Sequence, residues 1–185
     1  TAAIALVPTP AGACSCLEPS LSRSWHESSD TFTAEILSKN VIDEHVMYTV
    51  EVLRPFSGNH DEGDTVQVRS ARSEASCGQR LTLNRRYLLT ADELRSGVLT
   101  INSCGYNRPV RDLDKDDWNF LLSRMWFDKE SGVLVCADGT EPTSCAVDPC
   151  EVADCRWATT CESNYCGGCN AEFYDEKWNA VCESR

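Results

Sequence analysis

Segments in which apolar and polar residues alternate recur through the first hundred residues of the chain. The clearest is 46–53, where Val46, Tyr48, Val50 and Val52 fall on one face of an extended strand. Further strand-like segments, separated by Gly, Pro and Asn, are 31–37, 65–69, 81–83, 87–90 and 98–101. A series of short strands with turn residues between them favours a small β-barrel or a β-sandwich, and hence a mainly β fold.

Two segments have a helical pattern instead. Residues 20–27 follow a proline, and Ser20 is placed to cap a short helix. Across 112–127 the period changes, with aspartates at the start, where they favour the helix dipole. One helical stripe is formed by Trp118, Leu121, Leu122, Met125 and Trp126. We expect this second helix to pack on the strands.

The cysteines divide the chain. Twelve cysteines with only two methionines indicate an oxidising compartment and a disulfide framework. Four are widely spaced, at Cys14, Cys16, Cys77 and Cys104, and eight are crowded, at Cys136, Cys145, Cys150, Cys155, Cys161, Cys166, Cys169 and Cys182. A short, densely crosslinked segment buries little apolar area, so its crosslinks hold it. We therefore predict two domains, 14–131 and 132–185, divided near Gly132.

Residues 1–13 are small, apolar and uncharged, and they end in Ala11-Gly12-Ala13. Small residues at the first and last of these positions suit signal peptidase, so one interpretation is the end of a secretory signal cleaved before Cys14. Cleavage there would give Cys14 a free α-amino group. The other interpretation is a disordered N-terminus, which Pro8 and Pro10 suit.

Charge and motifs exclude several classes of function. The chain has 29 acidic and 17 basic residues and a net charge of -12, which disfavours nucleic-acid and membrane partners. No apolar run approaches the roughly 20 residues of a membrane helix. The three histidines are isolated in sequence, and no metalloprotease, hydrolase or phosphate-loop motif is present. We expect neither an enzyme nor a resident cofactor.

The layout of the first four cysteines resembles a known family. The matching text begins with Cys14-Ser15-Cys16 and continues through 48–58, 75–78, 86–89 and 102–104. In this order it resembles a netrin-like domain, most closely the N-terminal domain of tissue inhibitors of metalloproteinases, over about 14–127. The resemblance implies a five-stranded OB-type barrel with flanking helices. It also implies the disulfides Cys14–Cys77 and Cys16–Cys104, whereas spacing alone leaves three connectivities open.

The sequence departs from the family pattern in two places. The family has a third cysteine shortly after the first helix, but residues 26–30 contain none. The cysteine that pairs with this third cysteine in the family is therefore absent here or is redirected into the C-terminal module. The family proline two residues after the second cysteine comes one place later here, as Pro19 after Leu17 and Glu18.

The resemblance implies a secreted, extracellular inhibitor whose partners are zinc metalloproteinases. A catalytic zinc keeps one coordination position open, and the amine and carbonyl of an N-terminal Cys14 would chelate the metal there. The implied protease-binding residues are Cys14, Ser15, Cys16, Leu17, Glu18, Ala75 and Ser76. Because a fold does not fix a function, the alternative is a non-inhibitory extracellular binding or matrix module.

Within the C-terminal module, residues 136–185 include ten acidic and three basic residues. Its eight cysteines allow 105 connectivities, and the module does not resemble the C-terminal domain of vertebrate inhibitors. Cys166 and Cys169 have the spacing of a redox pair, but no βαβ context surrounds them, so structural disulfides are favoured over a disulfide-exchange enzyme or a zinc site. Any partner of this module is expected to be an extracellular protein.

Overall fold

The computed structural model describes residues 14–128 and 133–182, and its fold is mainly β. The N-terminal part opens with helix α1 (Leu21–Glu27). Ser20 caps this helix, as predicted, because its side chain accepts a hydrogen bond from the backbone N–H of Arg23 at 3.3 Å. The predicted signal-peptide end, residues 1–13, lies outside the described residues.

Six strands of the N-terminal part form one sheet: β1 (Asp30–Ile42), β2 (His45–Ser57), β3 (Thr65–Ala71), β4 (Arg86–Glu93), β5 (Leu99–Thr100) and β6 (Arg108–Pro109). Neighbours follow the order β1-β2-β3-β5-β4-β6, and β1 also pairs with β4. All pairings are antiparallel except that of β3 with β5. Five of the six predicted strand segments are confirmed, and β1 and β2 run well beyond the alternating segments.

The core of this sheet follows from the alternation in β2. Tyr48, Val50 and Val52 are buried, and they pack with side chains of every other long strand. Other fully buried members of this cluster are Phe32, Ile36, Val68, Leu89 and Leu99. Because each large side chain contributes about 1.5–3 kcal/mol when fully buried, this cluster is a main source of stability.

The prediction of a strand at 81–83 is wrong. The backbone N–H of Leu81 donates to the hydroxyl of Tyr48 at 3.2 Å, and that of Thr82 donates to the hydroxyl of Tyr87, also at 3.2 Å. Two tyrosine side chains thus satisfy donors that strand pairing would otherwise use. Residues 81–83 are consequently a loop that leads into β4.

The prediction of one helix across 112–127 is also wrong in its second half. Helix α2 (Lys115–Leu122) begins with a capping box between Asp114 and Asp117, after a 3₁₀ turn (Val110–Asp112). Met125 and Trp126 belong to strand β7 (Met125–Asp128), which pairs with β8 (Val133–Cys136). The backbone of this segment therefore pairs with β8 and does not continue the helix.

The C-terminal module contains a short helix, α3 (Pro149–Val152), and a sheet of β9 (Thr160–Asn164), β10 (Asn170–Tyr174) and β11 (Ala180–Val181) in the order β11-β10-β9. Its disulfides are Cys136–Cys166, Cys145–Cys169, Cys150–Cys161 and Cys155–Cys182. Each such crosslink typically stabilises a fold by about 2–4 kcal/mol, which compensates for the small core. The predicted division near Gly132 lies outside the described residues.

These pairings decide two questions left by the sequence. Cys166 and Cys169 belong to different disulfides, so the disulfide-exchange alternative, which needs them paired to each other, is wrong. All eight C-terminal cysteines pair among themselves, and the described residues contain no free cysteine.

Residues 14–128 and 133–182 include no helix of the length and apolarity that crossing a bilayer requires.

Helix α1 contacts the C-terminal module through His26, which is not isolated in the fold. Its ring stacks on Trp178 with centroids 3.9 Å apart, and its Nε2 lies 3.0 Å from Glu162 Oε1. Nearby, the buried guanidinium of Arg124 lies 2.5 Å from Glu172. The two parts of the chain therefore share a packed polar junction.

Candidate functional site

Two disulfides hold the segment Cys14-Ser15-Cys16. Cys14 pairs with Cys77 and Cys16 with Cys104, which is the pairing that the resemblance implies. The four Sγ atoms lie within 4.8 Å of one another. Because every sulfur belongs to a disulfide, none is a thiolate, so this cluster has no sulfur ligand to offer a metal.

The backbone after this segment is presented to solvent. Ser15, Cys16 and Glu18 are exposed, and Leu17 has 61 % of its surface accessible. Cys14 itself is partly buried against its disulfide partner. Residues 15–18 thus form a short exposed ridge. The disulfides of Cys14, just before the ridge, and of Cys16, within it, hold its first part.

A second exposed segment lies beside Cys14 because it directly precedes Cys77, the disulfide partner of Cys14. Ala75 and Ser76 belong to a 3₁₀ turn (Glu74–Ser76) and are both exposed. The hydroxyl of Ser73 caps this turn by accepting the backbone N–H of Ala75 at 3.2 Å. Cys77 ends the turn in the left-handed region, with φ 58°. The disulfide Cys14–Cys77 therefore brings Ala75 and Ser76 next to the ridge.

Gly78 follows the turn at a point of close backbone approach. A Cβ atom there would lie 2.2 Å from the carbonyl oxygen of Ala71, so only glycine fits. The backbone N–H of Gln79 then donates to the Ser70 hydroxyl at 2.8 Å. The end of strand β3 thus fixes where the turn and Cys77 sit.

Asn102 organises the loop that carries Cys104, a role that sequence reasoning missed. Its side-chain oxygen accepts the backbone N–H groups of Cys104 at 2.8 Å and Gly105 at 3.1 Å. The neighbouring Ser103 donates its backbone N–H to the carbonyl of Cys77 at 2.9 Å, which ties this loop to the turn. The available signal was an asparagine two residues before a cysteine, since such side chains often bond the backbone two residues on.

Arg23 was also missed, and it connects the ridge with the C-terminal module. Its Nη1 donates to the carbonyl of Glu18 at 3.4 Å, and its Nη2 donates to Asn179 Oδ1 at 3.0 Å. Its Nε donates to the carbonyl of Lys177 at 2.8 Å. One guanidinium on α1 therefore bonds to segments far apart in sequence, which sequence spacing does not reveal.

The site combines a backbone segment held by two disulfides with two exposed segments, and the described residues contain no catalytic constellation. The model of one family, tissue inhibitor of metalloproteinase, matches residues 12–182. That match extends through the C-terminal module, so the resemblance predicted only to Phe127 was too short. Members of this family are inhibitors rather than enzymes. The chain therefore belongs to the tissue inhibitor of metalloproteinase family.

Proposed function

We propose that the protein is a secreted inhibitor of zinc metalloproteinases that occupies the open position of the catalytic zinc with the backbone of Cys14. Family membership supports inhibition in general. The observation that carries the finer proposal is the double crosslink, Cys14–Cys77 and Cys16–Cys104, which holds this backbone on the fold.

The proposed ligands are the α-amino nitrogen and the carbonyl oxygen of Cys14. Together they form a two-atom chelate, and the nitrogen binds zinc in its neutral form. The sulfur takes no part because the disulfide to Cys77 occupies it. The proposal requires Cys14 to be the first residue of the mature protein, since an amide nitrogen is a poor zinc ligand.

The proposed protease contacts surround this chelate. The Ser15 side chain enters the pocket next to the zinc, and Leu17 and Glu18 follow the cleft as product residues would. Ala75 and Ser76 fill the other side. Their exposure supports these roles, because each is available to a partner without rearrangement.

Rigidity is the energetic reason for the crosslinks in this proposal. Ordering a flexible side chain at an interface costs about 0.5–1.5 kcal/mol, and mobile backbone adds to this cost. Anchoring at Cys77 and Cys104 removes much of that freedom before the partner arrives. Most of the contact energy is then available for binding.

The proposal also places the ridge on an OB-type five-stranded barrel in a domain of residues 14–131, followed by a module of residues 132–185. The strand ladders support the barrel, because β1 pairs with β2, β2 with β3, β3 with β5, β5 with β4 and β4 again with β1. Six disulfides support an extracellular location.

The test compares inhibition of a panel of matrix metalloproteinase catalytic domains by protein beginning at Cys14 and by protein with one added N-terminal alanine. We expect the added residue to raise the inhibition constant by more than about 100-fold, since even disturbing an outer-sphere partner of a metal costs about 10–100-fold. Equal potency of the two forms would refute the chelate. Failure of both to inhibit would favour the non-inhibitory binding module.

A further inference from the structure

A groove of about 650 Å³ lies where the far end of the β1–β2 hairpin meets the loop before β4. Tyr48 and Leu81 on its lining are buried, whereas Val41 and Leu83 are 51 % and 38 % exposed. Its volume falls within the range of about 300–1,000 Å³ that is typical of ligand sites. The lining therefore offers apolar area to a molecule that enters from solvent.

One wall of this groove ends in an open strand edge. The pairing of β1 with β4 stops at Glu35 and Arg86, and beyond it Ile36 donates its backbone N–H to the carbonyl of Arg85 and accepts the backbone N–H of Asn84. Strand β1 nevertheless continues to Ile42. In the part of the chain that the structure describes, residues 38–42 pair only with β2. Their outward backbone groups can accept another strand.

The charge of the groove is opposite to that of the whole chain. Three basic residues line it, Lys39, Arg72 and Arg80, and no acidic residue does, although the net charge is -12. Arg80 pairs with Glu74 at 3.3 Å, but both side chains are largely exposed. Within residues 14–128 and 133–182, the Lys39 ammonium and the Arg72 guanidinium have no ion-pair or hydrogen-bond partner. Cationic groups are thus concentrated along an apolar groove.

We propose that this groove binds an extended, acidic peptide segment of a partner protein as an added strand on residues 38–42 of β1. Backbone bonds to a sheet edge give affinity in this mode, and alternate side chains give specificity. Acidic side chains of the peptide would reach Lys39 and Arg72, and its apolar side chains would cover Val41 and Leu83. A second copy of this chain that pairs edge to edge is a poor occupant, because it would bring the basic residues of both grooves together.

This inference does not depend on zinc chelation. The groove and the proposed protease contacts share the loop 72–79, so an inhibition assay would mix the two. Binding is therefore measured without any protease.

The probe, called the Glu–Val peptide, is a fluorescent eight-residue peptide with the sequence Glu-Thr-Val-Thr-Glu-Thr-Val-Thr, so that Glu and Val alternate on one face of the added strand. The matched ligand control, called the Lys–Val peptide, has Lys in place of each Glu. Anisotropy titrations use the wild-type protein, the double variant K39E/R72E, and R95E/K115E, which makes the same charge change at exposed sites outside the groove. Hydrogen exchange at residues 38–42 reports strand addition. All titrations are repeated at higher salt.

We expect the Glu–Val peptide to bind wild type and R95E/K115E at least tenfold more tightly than K39E/R72E. We also expect it to bind at least tenfold more tightly than the Lys–Val peptide and to protect amides of residues 38–42. Equal binding of the two peptides, an unchanged affinity of K39E/R72E, or unprotected amides would overturn the proposal. So would concentration-dependent dimerisation that K39E/R72E abolishes, or a sulfated oligosaccharide that occupies the groove without protecting the strand edge.

Discussion

Substitution of Gly78 by alanine is expected to damage both stability and the exposed turn beside Cys14. The new Cβ would lie 2.2 Å from the Ala71 carbonyl oxygen, whereas an ordinary contact begins at 3.4 Å, so the two backbones must separate by roughly 1.2 Å (3.4 minus 2.2). A backbone oxygen cannot rotate away as a side chain does. We therefore expect a loss near the upper end of the about 1–3 kcal/mol that overpacking typically costs.

The assay is a urea titration of the disulfide-intact protein, with the midpoint converted to a free energy of unfolding at unchanged slope. G105A is the matched control, because the tight contacts of its Cβ would be with the side chains of Asn107 and Thr90, at 3.0 and 3.1 Å, whereas the backbone oxygen of Thr90, at 3.6 Å, is at an ordinary contact distance. We expect it to cost under about 1 kcal/mol, since these side chains can shift. A G78A protein as stable as G105A would refute the steric account of the turn.

Three further changes test the crosslinks and the junction. Replacing Cys16 and Cys104 by serine opens a crosslink with a sequence separation of 88, and we expect denaturant titration to show a loss of about 2–5 kcal/mol. The hydrogen bond from His26 is the main cause that holds the pKa of Glu162 below its ordinary value of 4.5. The ionised carboxylate therefore stabilises the fold above that value, and this contribution disappears as pH falls through the lowered pKa. Accordingly, E162Q should be less stable than wild type at pH 5.5, and the difference should shrink in thermal melts as the pH falls further below 4.5. Replacing the buried Arg124 by methionine leaves a carboxylate without its cation, so we expect a loss of about 3–5 kcal/mol in urea titration.

Each of these expectations has a control. The Cys16 and Cys104 change is compared with wild type under reducing conditions, where a persisting difference would contradict the crosslink account. For the pH prediction, E141Q removes an exposed carboxyl group, and a pH-dependent difference as large as that of E162Q would contradict the role of His26. For R124M, adding E172Q should restore part of the stability, and no recovery would argue against the ion pair.

Local sequence signals predicted the elements that depend on near neighbours. Ser20 as a helix cap and the buried face of β2 both follow from residues a few positions apart. The strand predicted at 81–83 failed because two tyrosine hydroxyls from other strands bond its backbone. The helix predicted across 112–127 failed in its second half because β8 offers a competing ladder. Both errors come from tertiary partners that a local pattern does not contain.

Predictions of the candidate site also depended on which contacts are visible in the sequence and which arise only in the fold. The paired cysteines were named from the family pattern, because spacing alone left the connectivity open. Arg23 was missed because its contact with Asn179 depends on segments that only the fold brings together. Asn102 was missed although its contacts with Cys104 and Gly105 are local, because the asparagine was not considered as a turn residue.

The central claim requires a free α-amino group on Cys14, and the mass of the N-terminal peptide of the natural mature protein measures this directly. The account predicts that this peptide begins with an unmodified Cys14, still disulfide-bonded to Cys77. Any residue retained before Cys14, or an acylated amine, would contradict it, because the nitrogen would then be an amide.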